Sequence, residues 1–381
     1  MKRPGSPGPL MFGFEGKSLP ARLARRLREG TVGGVILFSR NVETPRQVRD
    51  LCREVRAAAG RGRPAPLIAI DQEGGRVVRL TAPGFTRFPP ARCYSLFCCR
   101  ASRVAEAVGE SMAAELRAVG VDINFAPVLD VDSNPENPVI GDRALSSDPE
   151  ITAELGIAFM RGTLSGGVLP VGKHFPGHGH TASDSHAELP VVRSSRETLR
   201  KRDLHPFRRA IRAGIPALMS AHVLYPALDR EFPATLSEKI LGGLLRKQLR
   251  FRGVVFSDAL EMKAITGRFG VGDAAVRAVS AGCDVVMVCR GEKIQEEAVE
   301  AIERAHADDR EFRKSVAAST RRVFRLRRTL PPTGGPSPAH RASLRQVGTR
   351  KTRELSRLLF DHWESSGQAS RGGRSGNIGE G

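Results

Sequence analysis

Eight short apolar runs, most of them followed by a stretch of helical period, set the limits on how this chain folds. The runs lie at residues 10–14, 32–38, 67–70, 121–125, 167–172, 215–220, 253–256 and 284–288. Helical patterns fall at 20–29, 45–58, 101–119, 149–165, 196–213, 237–249 and 273–281, with two more at 295–305 and 309–328. A run of four to seven residues bounded by turn formers reads as a buried strand, and strands separated by helices favour parallel pairing. Eight such units in about 300 residues match the number that closes a (β/α)8 barrel. The rival is an open, doubly wound sheet, but the Gly-rich turn it needs after its first strand is missing. The expected fold is therefore α/β, a TIM-type barrel forming a single catalytic domain over residues 1–330.

Catalytic groups of such barrels come from the carboxyl ends of several strands. Asp71 follows the third run, Asn124 and Asp130 surround the end of the fourth, and Lys173 and His174 follow the fifth. His222 follows the sixth, Asp258 the seventh and Arg290 the eighth, while Arg143 lies in the long loop after the fourth. One charged residue past a strand is unremarkable because loops are polar. Six strands ending this way describe a converging site.

The densest chemistry is Lys173-His174-Phe175-Pro176-Gly177-His178-Gly179-His180, followed by Thr181-Ala182-Ser183-Asp184-Ser185-His186. The glycines and proline exclude a helix, so the segment reads as an ionisable loop beyond the fifth strand. Asp184 and His186 are two apart, close enough for the carboxylate to fix the imidazole tautomer and make His186 a proton shuttle near neutral pH. Lys173 and His174 can donate hydrogen bonds to ligand hydroxyls. Asp258, in Val254-Val255-Phe256-Ser257-Asp258-Ala259, is either a nucleophile, base or metal ligand at the barrel mouth or the cap of the next helix. Beside the histidine loop, catalysis is preferred. Asp71 precedes a diglycine turn, Gly74-Gly75, and can accept bonds from sugar hydroxyls. Glu73 and Arg76 are candidates for a structural pair across that turn. Gly141-Asp142-Arg143 offers a rigid guanidinium fork for a polar ligand or for pinning its loop.

The net charge is +19, from 60 Lys+Arg against 41 Asp+Glu. That charge is spread along the chain, aromatics are only 5%, and no binding module is recognisable, so it reads as a solvated surface and no nucleic-acid partner is expected. The six cysteines follow no disulfide spacing, which fits a reducing compartment. Lys2 and Arg3 lead into Gly5-Ser6-Pro7-Gly8-Pro9 rather than an apolar signal core, and no window reaches the roughly 18 apolar residues of a membrane span. A cytoplasmic monomer is expected. After Leu330 the chain turns rich in Pro, Gly, Ser and Arg, so residues 331–381 read as a largely disordered basic tail interrupted by one helical patch at 344–363.

Together these segments resemble glycoside hydrolase family 3, in its single-domain β-N-acetylhexosaminidase branch. The likeness runs from about residue 10 to about residue 328 and is carried by 173–179 with Asp184-Ser185-His186, by 71–77, 139–143 and Phe256-Ser257-Asp258. Asn124-Phe125-Ala126-Pro127-Val128-Leu129-Asp130 and Gly33-Gly34-Val35-Ile36-Leu37-Phe38 also match. The resemblance implies a retaining glycosidase in which Asp258 forms a covalent glycosyl-enzyme and His186, polarised by Asp184, serves as acid and then base. A histidine thus replaces one of the two carboxyls of the usual retaining pair. It further implies that Asp71, Arg79, Arg143, Lys173 and His174 hold an N-acetylglucosamine unit, without metal or cofactor. The substrate would be cell-wall muropeptides containing 1,6-anhydro-N-acetylmuramic acid, met during peptidoglycan recycling. His180 and the segment 93–100 depart from the family pattern. A phosphorylase or β-glucosidase of the same family is the near alternative. A metal-dependent barrel hydrolase, using His178-Gly179-His180 with His222 and Asp258, is the distant one.

Overall fold

Eight parallel strands pair in chain order and close on themselves, β1 against β8, to form a barrel. The structure is a computed structural model and describes residues 8–60, 62–185, 187–330 and 343–368. The strands are β1 Leu10–Phe12, β2 Val32–Leu37, β3 Leu67–Ile70, β4 Ile123–Asn124, β5 Leu169–Phe175, β6 Ala217–Ser220, β7 Val254–Ala259 and β8 Val285–Val288. Around them run the helices α1 Ala21–Glu29, α2 Pro45–Ala57, α3 Ala101–Val119, α4 Pro149–Ser165, α5 Arg196–Lys201 and α6 Leu204–Arg212. After a π-helical segment, Lys239–Gln248, come α7 Lys263–Thr266, α8 Val271–Ala281, α9 Glu292–Asp308, α10 Arg310–Arg327 and α11 Arg350–Ser365. The helix starts obey local chemistry. Thr44 caps α2 through Gln47 N–H and Asp148 caps α4 through the N–H groups of Glu150 and Ile151, each with a proline in the first turn.

The side-chain alternation of the strands divides the apolar interior in two. Met11, Ile36, Ala69, Ile123, Val171, Met219, Phe256 and Met287 belong to one cluster, built mostly of strand residues and closed by Val323 and Leu326 of α10, that fills the barrel. Leu10, Phe12, Val35, Leu37, Ile70 and Val255 point the other way and pack with Leu23, Leu27, Val48, Leu51 and Val279 of the surrounding helices. Because strands are covered on both faces, they carry continuous apolar runs in the sequence.

Several boundaries differ from the expectation, each for a physical reason. Lys173 and His174 lie inside β5, because the chain after β4 swings alongside β5 and Leu129 N–H donates to the Lys173 carbonyl. Asp258 likewise belongs to the last residues of β7. The single helix expected at 196–213 is two, parted at Arg202 and Asp203, where Asp203 turns in behind the histidine loop. Of the helical patch expected at 344–363, the start is a separate 3-10 turn, Leu344–Gln346, and the rest is α11, which begins at Arg350 and is docked on the barrel's side. Leu359 and Trp363 are buried there with Phe88, Cys93 and Tyr94, and Cys93 Sγ lies 3.3 Å from the Leu359 carbonyl. The disorder expected of the remaining tail falls outside the described residues. Among the described residues no helix is long and apolar enough to cross a membrane.

Candidate active site

The site segments leave the regular ladder. The β5–β6 register slips between Gly172 and Phe175, and the β7–β8 register slips between Phe256 and Ala259. Each irregularity carries two polar residues, Lys173-His174 and Ser257-Asp258. A bulge at a barrel rim re-aims side chains that a regular pleat would send into the core or the helix layer. It therefore explains how four polar residues survive inside strands whose neighbours are fully buried.

Lys173, 2% exposed, is the hub of a buried ion cluster. Its Nζ lies 2.6 Å from Asp71 Oδ1 and 2.6 Å from Glu73 Oε1. Arg143 completes the cluster with Nε and Nη2, each 2.8 Å from a different Glu73 oxygen, while its Nη1 donates to the Val139 carbonyl at 3.0 Å. Burial opposes every charge in this group, yet mutual pairing wins. Arg143 and Lys173 hold the Glu73 carboxyl well below its usual range, and Asp71 and Glu73 push the Lys173 ammonium up. The pair expected between Glu73 and Arg76 is not formed. Glu73 turns inward to Arg143 and Lys173, whereas Arg76 lies 3.7 Å from Asp142 and donates to the Val139 and Ile140 carbonyls. A carboxylate this deep needs the two cations, and only the inward rotation reaches them. The diglycine turn is obligatory, since φ is +99° at Gly74 and +56° at Gly75 and a Cβ there would strike Pro89 or Pro90.

A second buried cluster fixes the histidine loop. Asp130, fully buried, accepts the backbone N–H groups of His174 and His178 and a 2.6 Å bond from His174 Nδ1. Those bonds outweigh the burial that would raise its carboxyl, and hold it low. With Nδ1 engaged, His174 keeps Nε2 for a ligand. His178 is packed within the loop, sharing Nδ1 with Thr181 Oγ1 at 3.0 Å and Nε2 with Ser185 Oγ at 3.2 Å. Burial, with the nearby His174, lowers its imidazole to about 4. His180 shares Nδ1 with Ser133 Oγ at 3.1 Å, and burial and then Arg202 lower it as well. These two histidines therefore hold the loop's shape. Among the described residues, no three His, Cys, Asp or Glu side chains form a group that could hold a metal ion.

Asp184 is half-buried, its carbonyl accepts the N–H groups of Ala187 and Glu188 at 3.0 Å, and its charge is felt by Arg76. The Ser185 carbonyl accepts Ala264 N–H, which ties this end of the loop to α7, just beyond Asp258. His186 lies outside the described residues. Asp258 is half-buried, and its Oδ1 accepts Ala259 N–H at 2.8 Å. Cys289, at the end of β8, feels the charges of Glu261, Asp258 and Asp71, which gathers these acids about one rim. Arg79 stacks its guanidinium 5.4 Å from the Phe38 ring at the end of β2. His222 is turned to Thr235 Oγ1 and the Ala259 carbonyl and supports the β7 end. Arg290 is exposed.

Residues 17–326 match the glycosyl hydrolase family 3 N-terminal domain. The chain belongs to glycosyl hydrolase family 3. It is 45% identical over 300 residues to a β-hexosaminidase of Pseudomonas aeruginosa, covering 78% of this chain and 87% of that protein. It is 44% identical over 286 residues to one from Nitrosomonas eutropha, covering 74% and 80%. Among solved structures, it is similar to NagZ from Neisseria gonorrhoeae in complex with N-trifluoroacetyl-D-glucosamine, at TM-score 0.78 and 33% identity over 94% of this chain and 98% of that one. A family 3 β-N-acetylglucosaminidase from Paenibacillus sp. str. FPU-7 aligns at TM-score 0.84 and 38% identity, over 93% of this chain and 67% of that one.

Gln72 and Arg92 also shape this family 3 site and were not singled out from sequence, whereas Asn124 was. Asn124 exchanges two hydrogen bonds with the Gln72 backbone, and Gln72 Oε1 then receives the N–H groups of Arg79 and Leu80. Arg92 reaches Asp132 and the Gly141 and Ala144 carbonyls, bracing the turn that carries Arg143. Their sole sequence signal was position, as polar residues near strand ends or in a long loop.

Proposed function

We propose that this family 3 enzyme is a retaining exo-β-N-acetylglucosaminidase that removes terminal N-acetylglucosamine from muropeptides containing 1,6-anhydro-N-acetylmuramic acid. The observation that carries the reading is the pair of irregular strand ends, one presenting Lys173 and His174 beside Asp71 and Arg143, the other presenting Asp258. A sugar held by the first pair of segments meets the carboxylate of the second across the barrel mouth.

In the first step Asp258 attacks the anomeric carbon, and the bond to the aglycone oxygen breaks as His186 gives that oxygen its proton. In the second, His186 takes a proton from water as the water attacks the same carbon and Asp258 departs. Two inversions retain the configuration. Asp184 orients the imidazole and stabilises its charged form. Asp71, Arg79, Arg143, Lys173 and His174 hold the sugar hydroxyls and acetamide. The free state of all six cysteines supports placing this work in the cytoplasm.

The test is hydrolysis of an aryl β-N-acetylglucosaminide beside the aryl β-glucoside, with and without chelator and inorganic phosphate. Release from the N-acetyl substrate alone, unaffected by chelator and yielding free sugar, supports the proposal. A sugar phosphate product identifies a phosphorylase, and loss with chelator overturns the mechanism. Asp258→Ala abolishes turnover and leaves sugar binding measurable by calorimetry; near-native turnover in that variant removes Asp258 as the nucleophile.

A further inference from the structure

Glu261 lies three residues beyond Asp258 in the turn that follows β7. Its Oε1 accepts Cys289 N–H at 2.9 Å, tying the turn to the end of β8. Its Oε2 is shielded from solvent and has no hydrogen-bond partner among the described residues. A carboxylate here would leave one charged oxygen bare in a site already holding the Asp258 charge, and an unpaired buried charge is costly. Protonation puts a hydroxyl at Oε2 and leaves Oε1 to take the Cys289 N–H, and an unpaired buried hydroxyl costs less than an unpaired buried charge.

Resting on the assignment of Asp258 as the nucleophile, we propose that Glu261 is a positioning residue. It acts as a neutral carboxylic acid pinned between the ends of β7 and β8, and keeps the aspartate's as the single negative charge of the pair. Burial above all, with the Asp258 charge adding to it, pushes the Glu261 carboxyl up to about 7, against the pull of the backbone N–H groups of Glu261 itself, Cys289 and Arg290. The other titratable or charged groups around this corner are Cys289 itself, Asp71 beyond β3, and Arg40 beyond β2, which donates to the Cys289 carbonyl at 2.8 Å. His222 faces the same turn through the Ala259 carbonyl.

The consequence falls on the second chemical step. When the glycosyl ester breaks, the electron pair of the bond to the sugar returns to Asp258, and a charge already on Glu261 opposes its departure. In the first step Asp258 loses charge, so an ionised neighbour does not oppose it.

The test follows each step against pH on the full chain, using 2,4-dinitrophenyl β-N-acetylglucosaminide, whose leaving group departs without a proton. The burst of dinitrophenolate reports the first step and the steady state the second. In the native chain the second step rises as His186 becomes a free base, then declines as Glu261 ionises. Glu261→Gln is neutral at every pH, so the decline disappears and its rate at about pH 9 exceeds the native rate about tenfold. Glu261→Asp retains an ionisable group and so retains a decline. A Gln variant that keeps the native decline, or that slows both steps equally at all pH as a merely structural staple would, overturns the proposal. Peptide mapping of the sugar during the burst distinguishes the other failure, because sugar on a residue other than Asp258 removes the nucleophile assignment itself.

Discussion

Replacing Glu73 with Gln keeps the shape of the buried ion cluster and removes one charge from it. In the native cluster the charges of Asp71 and Glu73 balance those of Lys173 and Arg143; in Glu73→Gln one buried positive charge is left over. Lys173 keeps Asp71 at 2.6 Å, but Arg143 loses the carboxylate that took two of its nitrogens. Breaking a buried pair from one side costs about 3–5 kcal/mol, and the surviving Lys173–Asp71 contact places this case at about 3 kcal/mol. That corresponds to a fall in Tm of about 4 °C in a chain this large. The sign with pH follows from the depressed Glu73 carboxyl. Its contribution is full above the unfolded value of 4.5 and drains as pH falls below it, so the native advantage over the variant shrinks in acid. Differential scanning calorimetry at neutral pH and in acid measures both effects. Removing the second charge as well, in Glu73→Gln with Arg143→Met, recovers part of the loss, because the leftover cation is its main cause. A Tm within about 1 °C of native, or a double variant as unstable as the sum of the singles, refutes the argument.

Two other perturbations probe the loop. Asp203 packs behind Gly177, and burial raises its carboxyl to about 6 despite Arg202. Its folded form therefore binds a proton more tightly than the unfolded chain, and that stabilisation is lost as pH rises through about 6. Asp203→Asn is thus expected to gain in Tm relative to native as pH rises through that window, and a difference constant with pH counts against the reading. At Gly179 a Cβ would sit 1.8 Å from the Val131 carbonyl oxygen, so Gly179→Ala must displace the histidine loop. Its kcat/KM falls about 100-fold, the scale of a 1 Å misplacement, and a variant of near-native activity sinks the claim that this backbone contact sets the loop.

The barrel was legible because its strands are covered on both faces, which writes each of them as an unbroken apolar run. The candidate site was legible where such a run ends in charge, as at Asp71 and Asp258, which stand at the ends of β3 and β7. What the sequence hid is the set of partners. Glu73 and Arg143 are 70 positions apart, and Lys173 and Asp71 are 102 apart, so only barrel closure decides who meets whom. The adjacent Glu73 and Arg76 invite a pair, and tertiary burial overrides it. The bulges were equally hidden, because a one-residue slip in register at the end of a strand leaves no mark on an apolar pattern. Glu261 reads as an ordinary loop acid until the Cys289 N–H is found beside it.

The docking of α11 has a consequence for the order in which the enzyme is made. The ribosome delivers the chain from its N-terminus, and early segments fold before late ones exist. A nascent chain halted after residue 330 already carries every charged group of the ion cluster. It lacks the helix whose Leu359 and Trp363 pack over Cys93 and Tyr94, next to the Arg92 that braces the Arg143 turn. That flank of the candidate site is finished by residues made well after the eighth strand, so synthesis of the barrel alone does not complete it.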